Sequence, residues 1–241
     1  MGGHMPVITF ANTKGGAGKT TAVLLLATEL ARTGHRVTVL DADPQLWISR
    51  WADMSGRVRN LSIISNVTMA SLETHIRENR SSTDCFIIDL PGTKNPLLTM
   101  ALGISDHVII PVQGSAMDAR GAAEVLEHIE FLNAKMGTSI DHSVVLTRVN
   151  PMVSTRSMLL VKALLAEKNV RVLNTPIAER SAFRDIFNAG GTLAQQDCHK
   201  VSNIDKAMEN VRCFADEVMR LMPARVVRSG NIFRMFNRRA A

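Results

Sequence analysis

A glycine-rich segment near the start of the chain limits what it can fold into more than any other feature. Residues 15–21 read Gly-Gly-Ala-Gly-Lys-Thr-Thr, with an apolar run at 7–11 before them and another at 23–27 after them. This order predicts a strand, a tight loop and a helix in direct succession. Glycines allow consecutive backbone N–H groups to turn around an anion, and a helix N-terminus adds partial positive charge. The segment therefore predicts a phosphate-binding loop.

The lysines of this segment distinguish it from the common phosphate-binding loop. The Walker A pattern G-x-x-x-x-G-K-[ST] needs glycine where Thr13 stands, and a second lysine, Lys14, follows at the next position. The resulting pattern, K-G-G-x-G-K-[ST], is the deviant Walker A motif. We predict that Lys19 reaches the β- and γ-phosphates of a nucleotide and that the Thr20 hydroxyl coordinates Mg²⁺. The predicted nucleotide-binding residues of the loop are Lys14, Gly15, Gly16, Ala17, Gly18, Lys19, Thr20 and Thr21.

Short apolar runs alternate with helical patterns along the rest of the chain. Continuous apolar runs, such as 85–88 and 107–111, are typical of strands covered on both faces. The alternation predicts an α/β fold with a doubly wound, mostly parallel sheet and helices on both faces. Further strands are predicted at 37–40, 61–64, 143–146 and 170–173, and helices at 19–32, 70–80, 117–136, 157–168, 180–188 and 203–221. Trp47 and Trp51, four residues apart, are predicted to pack on one helix face.

Length and composition indicate one large domain. The chain has 241 residues and is 46% hydrophobic, which suffices for a single core. We interpret residues 1–4 as a cloning remnant, 5–222 as a single P-loop domain and 223–241 as a basic C-terminal tail. The tail holds five arginines and no acidic residue, so it carries five of the six net positive charges. No apolar run is long enough to span a membrane and no secretory signal follows the start, so we expect a cytoplasmic protein.

Three aspartates come at the ends of predicted strands: Asp41, Asp43 and Asp89. In a parallel sheet these ends meet at one edge, where ligands bind. Asp89 fits a Walker B aspartate. Asp41 and Asp89 are predicted to serve a Mg²⁺ site, since Mg²⁺ takes oxygen ligands and keeps several waters. Asp43 is predicted to orient the attacking water. A single aspartate after a strand is often only a helix cap, so the prediction depends on all three lying beside the loop.

The identity of the nucleotide depends on two further segments. Residues 89–92 match D-x-x-G, the pattern with which nucleotide switches sense the γ-phosphate, and this raises GTP as a candidate. Guanine-reading loops need an [NT]-K-x-D segment, but the nearest match, residues 93–96, ends in Pro96 instead of aspartate. We therefore expect ATP as the substrate and ADP as the product.

Three segments together resemble the ParA/MinD group of deviant Walker A ATPases: residues 14–21, the Asp-Ala-Asp-Pro-Gln run at 41–45, and Ile-Ile-Asp at 87–89. The likeness extends over nearly the whole chain and is greatest to the small ParA proteins of plasmid partition. It implies a weak ATPase in which Lys14 reaches across a dimer interface, so that ATP lies between two subunits. It also implies adenine contacts at Arg148 and Pro176. The chain departs from the group at residues 90–93, Leu-Pro-Gly-Thr, where Pro-Pro is frequent.

The resemblance also implies partners. An ATP-dependent homodimer is expected to bind double-stranded DNA nonspecifically, which would associate the protein with the nucleoid. A ParB-like or other cargo adaptor protein is expected to stimulate hydrolysis and release the dimer. The candidate DNA-contacting residues are Arg180, Arg184, Lys200, Lys206 and Arg212. For each of them, an ordinary solvated basic face is the alternative.

Alternative functions stay open at this point. Residues 231–239 interleave apolar residues with arginines, so a MinD-like protein that lies on an anionic membrane surface is one alternative. A disordered basic tail is the simpler interpretation of the same residues. The nitrogenase iron protein shares the loop but needs cysteines at cluster-binding positions, which Cys85, Cys198 and Cys213 do not occupy. Small-molecule ligases with a similar loop are a further alternative, although no substrate site is readable.

Overall fold

The computed structural model describes residues 5–114, 116–150, 156–197 and 201–222. The strands are β1 (Val7–Phe10), β2 (Val37–Asp41), β3 (Leu61–Ile64), β4 (Cys85–Asp89), β5 (His107–Val112), β6 (His142–Val149) and β7 (Ile177–Ala178). The helices are α1 (Lys19–Arg32), α2 (Trp47–Ser55), α3 (Leu72–Glu78), α4 (Pro96–Ile104), α5 (Ala116–Met136), α6 (Arg156–Glu167), α7 (Ser181–Ala189) and α8 (Ile204–Leu221). None of these helices is long and apolar enough to cross a membrane.

The strands form one sheet in the order β3-β2-β4-β1-β5-β6-β7, and every neighbouring pair is parallel. Parallel neighbours need crossover connections, and helices supply most of them here. The order confirms the predicted doubly wound α/β fold. It also brings the carboxyl ends of β1, β2 and β4 together at one edge.

Both faces of the sheet are covered, which explains the continuous apolar runs of the strands. One core lies under α1, α2, α7 and α8, and it includes Phe10, Trp51 and Phe214. The other lies under α3, α4, α5 and α6, and it includes Phe86 and Leu102. Alternate residues of each strand face opposite cores, so apolar side chains are favoured at successive positions and the few polar ones are buried.

The predicted boundaries hold best where the helical pattern is long. Helix α1 spans the predicted residues, whereas the strand predicted at 170–173 is only a single bridge between Val144 and Val172. Helix α4 was not predicted. Its start has a local basis, because the Asn95 side chain accepts a hydrogen bond from the Leu98 N–H and Pro96 occupies the first turn.

The predicted packing of the two tryptophans on one helix face is wrong. Trp51 is 1% exposed, while Trp47 is 49% exposed and lies under the Arg50 guanidinium at 5.5 Å from the ring centroid. The buried stripe of α2 passes through Ile48 and Trp51, three residues apart, so Trp47 falls at its edge.

Candidate nucleotide site

The glycine-rich loop connects β1 to α1 and requires glycine at two positions. Gly16 and Gly18 have φ angles of 80° and 90°, in the left-handed region that side chains disfavour. Gly18 is also the residue that caps α1, and a Cβ on it would lie 3.3 Å from the Thr147 side chain. The loop thus passes close to β6, and a larger residue at Gly18 would displace it.

Side chains from distant elements hold the outer side of the loop. The Thr147 hydroxyl donates to the Ala17 carbonyl at 2.8 Å, and the Gln113 amide donates to the Gly16 carbonyl. The buried Asn12 accepts a 2.8 Å hydrogen bond from the Lys14 N–H and donates to the Pro111 carbonyl at 2.7 Å. With these carbonyls already occupied, the loop is fixed in shape by the protein itself.

Lys19 is a buried cation at the start of α1. Lys19 is only 6% exposed, and its ammonium donates a hydrogen bond to the Lys14 carbonyl at 3.4 Å. Burial lowers the pKa of Lys19, while the negative charges of Asp89 and Asp43 oppose that change. A buried ammonium is costly without a close anion, and a phosphate bound in the loop would supply one.

Two buried carboxylates stand side by side at the edge of the sheet. Asp41 of β2 and Asp89 of β4 are register partners, and both are fully buried. One Asp41 oxygen accepts hydrogen bonds from the Ser49 N–H at 2.9 Å and from the Ser49 hydroxyl at 2.6 Å. Among the described residues, the other Asp41 oxygen and both Asp89 oxygens have no hydrogen-bond partner of normal geometry. Unpartnered buried oxygens are rare in structural roles and indicate an expected ligand.

Burial and the neighbouring carboxylates change the pKa of Asp89. Burial raises the pKa of Asp89 to about 7, and the charges of Asp41 and Asp43 add to the increase. The nearby Thr20 hydroxyl and Lys19 ammonium oppose it. Burial likewise raises the pKa of Asp41, against its hydrogen bonds from Ser49. The carboxylates are therefore poised for a cation that would keep them ionised.

These donors fit Mg²⁺ in one particular way. Thr20, Asp41 and Asp89 offer only oxygen atoms, the ligand type that Mg²⁺ prefers. In the described part of the chain, no three His, Cys, Asp or Glu side chains are grouped closely enough to hold a metal by themselves. Mg²⁺ commonly completes its coordination with substrate phosphates and waters, so the set suits a metal that arrives with a nucleotide. The roles of the individual side chains stay predictions.

Asp43 lies just beyond β2 and differs from the other two carboxylates because it is half-buried. Its side chain accepts a 2.9 Å hydrogen bond from the Gln45 N–H, and its carbonyl accepts one from the Leu46 N–H at the same distance. Leu46 has a φ of 52°, which closes the turn into α2. The turn fixes Asp43 near Lys19 while leaving it accessible to water.

Two close approaches to the loop were missed from the sequence. A Cβ on Gly92, in the D-x-x-G segment, would lie 2.8 Å from the Gly15 nitrogen. A Cβ on Gly121 of α5 would overlap the Asn12 side chain and lie 2.9 Å from the Lys14 Cβ. The Thr13 hydroxyl donates to Glu124 of α5 at 2.8 Å. The D-x-x-G segment and α5 therefore press directly on the phosphate loop, and a lone glycine in each was the only sequence sign.

A small cavity of about 50 Å³ opens beside Gly18 and Thr21. Arg148 lines it from a break in the β6–β7 pairing, where its φ is 51°. Pro176 is not among the lining residues. Its carbonyl accepts a 2.8 Å hydrogen bond from Asn210, and the next residue, Ile177, lines the cavity. The structure thus brings the predicted adenine contact Arg148 next to the phosphate loop and Pro176 one residue away.

The predicted DNA-contacting residues do not lie together. Arg180 and Arg184 line the same cavity beside Gly18. The buried Nε of Arg180 has no hydrogen-bond partner among the described residues, and Arg184 is paired with Glu179 at 3.3 Å. Lys206 and Arg212 are exposed on α8, but they are six positions apart, so they lie on different sides of that helix. Lys200 lies outside the described residues, as do Cys198 and the tail 223–241.

Known proteins with similar sequence or structure agree with this arrangement. The family model described as VirC1 protein matches residues 5–224. Protein ParA of Rhizobium radiobacter is 35% identical over 211 residues, covering 88% of this chain and 95% of that protein. Protein virC1 of Rhizobium rhizogenes is 28% identical over 191 residues, covering 77% and 82% respectively. An ATP complex of Cyanothece McdA superposes with a TM-score of 0.67 at 20% identity, over 88% of this chain and 96% of that one. At this identity the structural likeness shows a shared fold.

Proposed function

Because the chain belongs to the VirC1 protein family, and with it to the ParA/MinD group of deviant Walker A ATPases, we propose that it is an ATP-hydrolysing DNA-partition protein. One observation carries the proposal: a buried Lys19 ammonium lies near the buried Asp89 carboxylate, and Asp89 and its register partner Asp41 together have three oxygens without a hydrogen-bond partner of normal geometry among the described residues. Such an arrangement destabilises an empty site. A nucleotide phosphate with a divalent cation satisfies both signs of charge at once.

Each residue of the site then has a distinct task. The backbone of residues 15–20 and the Lys19 ammonium would bind the phosphates, and Thr20 and Asp89 would hold Mg²⁺. When bound, Mg²⁺ neutralises phosphate charge that develops during transfer. Asp41, oriented by its two hydrogen bonds from Ser49, would help to hold the hydrated metal ion. Asp43 orients the attacking water, since it is the one carboxylate of the three that solvent reaches.

The base is proposed to lie against the cavity beside Gly18. Arg148 presents its side chain there from a left-handed backbone position that the break in β6–β7 pairing allows. Arg180 contributes the buried Nε described above. Both arginines offer several donors in a fixed plane, which suits the acceptor atoms of adenine, ribose or phosphate. Pro176 and Ile177 would shape the apolar side of the same pocket.

Self-association is part of the proposal. Lys14 sits at the entrance of the loop, and its backbone is fixed by Asn12 and by the close packing of Gly121. With ATP bound, its side chain would reach the nucleotide of a second copy, so that two ATP molecules lie between two subunits. The ATP-bound dimer would bind duplex DNA nonspecifically, and a cargo adaptor protein would stimulate hydrolysis. Relatives named ParA and virC1 support this direction.

Mass and DNA binding measured under matched conditions test the proposal. Light scattering should give a dimer for the wild type with ATP and Mg²⁺ and a monomer with ADP, and the Lys14→Ala variant should stay monomeric with both. Duplex DNA of any sequence should bind only the ATP form. Vesicles of anionic phospholipid, with and without residues 224–241, test the membrane alternative. A wild type that stays monomeric and fails to bind DNA with ATP would contradict the proposal.

A further inference from the structure

A second cleft lies at the opposite end of α1 from the phosphate loop. It has a volume of about 490 Å³ and lies between the last turn of α1, residues 57–60, residues 192–195 and α8. Its volume falls in the range of small-ligand sites, roughly 300–1,000 Å³. Because Arg32, Arg57 and Arg59 line it, we call it the arginine cleft. The 14 residues of α1 place it about 20 Å from the nucleotide site.

The charges of the arginine cleft do not cancel. Arg32 donates two hydrogen bonds of 2.7 Å to Glu29, the only acidic residue among those lining the cleft, so this pair is neutral. Arg57 and Arg59 are exposed and make no hydrogen bond or ion pair with any described residue. The lining therefore carries a net charge of about +2, on two guanidinium groups that are free to bind.

The backbone presents these two arginines in a fixed way. Gly56 and Asn60, which bracket them, have left-handed φ angles of 64° and 62°. Val58 between them packs against the core, and the Leu61 N–H donates to the Val58 carbonyl at 3.3 Å, which closes a turn over residues 58–61. Both arginines line the cleft from this segment. The Asn60 amide donates to the Ala31 carbonyl at 3.2 Å and ties the segment to the end of α1. The loop is therefore shaped before any ligand arrives.

The opposite wall is anchored to the same helix. The Trp51 indole of α2 donates to the Gly191 carbonyl at 3.0 Å, and the Gly191 N–H donates to the Ser55 hydroxyl at 2.8 Å. Helix α2 thus holds residues 191–195 on one side and leads directly into residues 56–60 on the other. Fixed walls favour ligand binding because little conformational freedom is lost on association.

One feature would oppose an anion here, namely the negative end of the α1 dipole. The final carbonyls of α1 are, however, already occupied. The Glu29, Leu30 and Ala31 carbonyls accept hydrogen bonds from the N–H groups of residues 33–35, and the Thr33 hydroxyl donates to two of them. Their partial charges are largely satisfied, so the two unpaired guanidinium groups dominate the local field.

We propose that the arginine cleft is a second binding site, specific for phosphate groups. Guanidinium groups prefer phosphate because its oxygens match their paired donors. The phosphates come either from the backbone of a nucleic acid or from a small phosphorylated molecule. Arg212 lies on the cleft side of α8, four residues after the lining residue Met208, and would extend the site for a nucleic acid.

Calorimetry with two probes tests this site apart from the nucleotide site. The full chain is first saturated with ADP and Mg²⁺, which occupies the phosphate loop, and that titration reports on the nucleotide site by itself. Inorganic tripolyphosphate and a 20-base-pair duplex of arbitrary sequence are then added, the duplex also in the ATP state. The test variant is Arg57→Ala/Arg59→Ala. The matched control is Arg80→Ala/Lys168→Ala, which removes the same charge from exposed positions outside the cleft.

The outcomes separate the two phosphate sources. A small-molecule site predicts that tripolyphosphate affinity falls at least about tenfold in the test variant alone, while DNA binding is unchanged. A nucleic-acid site predicts that only the test variant binds the duplex more weakly. In that variant, the slope of log K against log salt concentration should be shallower by about 2. The proposal is overturned if the two variants behave alike with both probes, or if the wild type binds neither.

Discussion

At the carboxyl end of the sheet, Asp41 and Asp89 are fully buried and three of their oxygens lack partners in the described structure. At the amino end, His107 of β5 is also buried; its Nε2 lies 2.9 Å from the Ser143 hydroxyl, while its Nδ1 has no hydrogen-bond partner among the described residues. Burial raises the pKa of Asp89 to about 7 and lowers that of His107 to about 4. Both shifts disfavour charge, yet only the carboxyl end also holds a buried cation, Lys19. An end that keeps opposite charges buried close together suits a charged ligand, whereas an end that keeps its buried histidine neutral suits stability.

The largest expected effect is at Lys19. The Lys19→Ala variant should lose ATP affinity at least about 100-fold, because the ammonium facing the phosphates is gone. Isothermal calorimetry with ATP and Mg²⁺ measures this, with the exposed Lys168→Ala as the matched control. Unchanged affinity in a folded Lys19→Ala protein would show that the carboxyl end is not the nucleotide site.

Asp43 should affect turnover instead of binding. The Asp43→Ala variant is expected to bind ATP normally and to hydrolyse it about 100-fold more slowly, since no carboxylate orients the water. It should accumulate as an ATP-bound dimer in light scattering. Single-turnover phosphate release checks the rate, and wild-type turnover would remove Asp43 from the mechanism.

Asp89→Asn should trade function for stability. The folded-state pKa of Asp89 is raised above its unfolded value, so this residue destabilises the folded protein. The destabilisation is absent below about pH 4, grows up to about pH 7 and is complete above it. At pH 8 the free energy of unfolding of the variant should be roughly 2 kcal/mol higher than that of the wild type. The gain is smaller than the full penalty because Lys19 loses a neighbouring anion. Urea titrations at pH 8 and pH 4 measure this. A variant that is less stable at pH 8 would refute the view of a strained, ligand-ready site.

Gly121 and Gly103 provide a matched pair for the packing of the phosphate loop. A Cβ at Gly121 would overlap Asn12, whereas a Cβ at Gly103 in α4 would meet nothing within 4 Å. Gly121→Ala should cost about 1–3 kcal/mol and weaken ATP binding. Gly103→Ala should be neutral or stabilise by up to about 1 kcal/mol. Equal melting temperatures for the two variants would mean that α5 does not press on the loop.

The smallest effect belongs to His107 at the amino end. Its folded-state pKa is depressed, so its contribution to the free energy of unfolding is complete above about pH 6.5. That contribution is lost as the pH falls toward 4. The groups that act on it are Asp141, which raises its pKa, and His142 and Arg171, which lower it. When the pH is lowered from 6.5 to 5.5, the free energy of unfolding of the wild type should fall by about 1 kcal/mol more than that of the His107→Gln variant. Parallel pH profiles for the two proteins would assign the acid sensitivity elsewhere.

Features that depend on neighbouring residues could be predicted from the sequence. The loop at 14–21, α1 and the aspartates that end β2 and β4 all follow from local patterns, and so does the parallel sheet. Contacts between distant residues could not be predicted. No pattern marks that Gly92 and Gly121 touch the loop, that Ser49 binds Asp41, or that Arg57 and Arg59 share a cleft with residues 192–195. The exposure of Trp47 likewise depends on which face of α2 packs against the core, and this is set by contacts with distant residues.

The hydrogen bonds that hold the outer side of the phosphate loop also bear on the order of folding. The donors Gln113 and Thr147 lie 97 and 130 residues after the carbonyls that they bind. During synthesis, a chain that has not yet emerged past β6 lacks them, and contacts this distant in sequence form slowly. The ability to bind a nucleotide should therefore arise only after the second half of the sheet has joined β1. From that moment ATP would stabilise the completed fold by mass action, so its cellular concentration would help to decide which newly made chains persist.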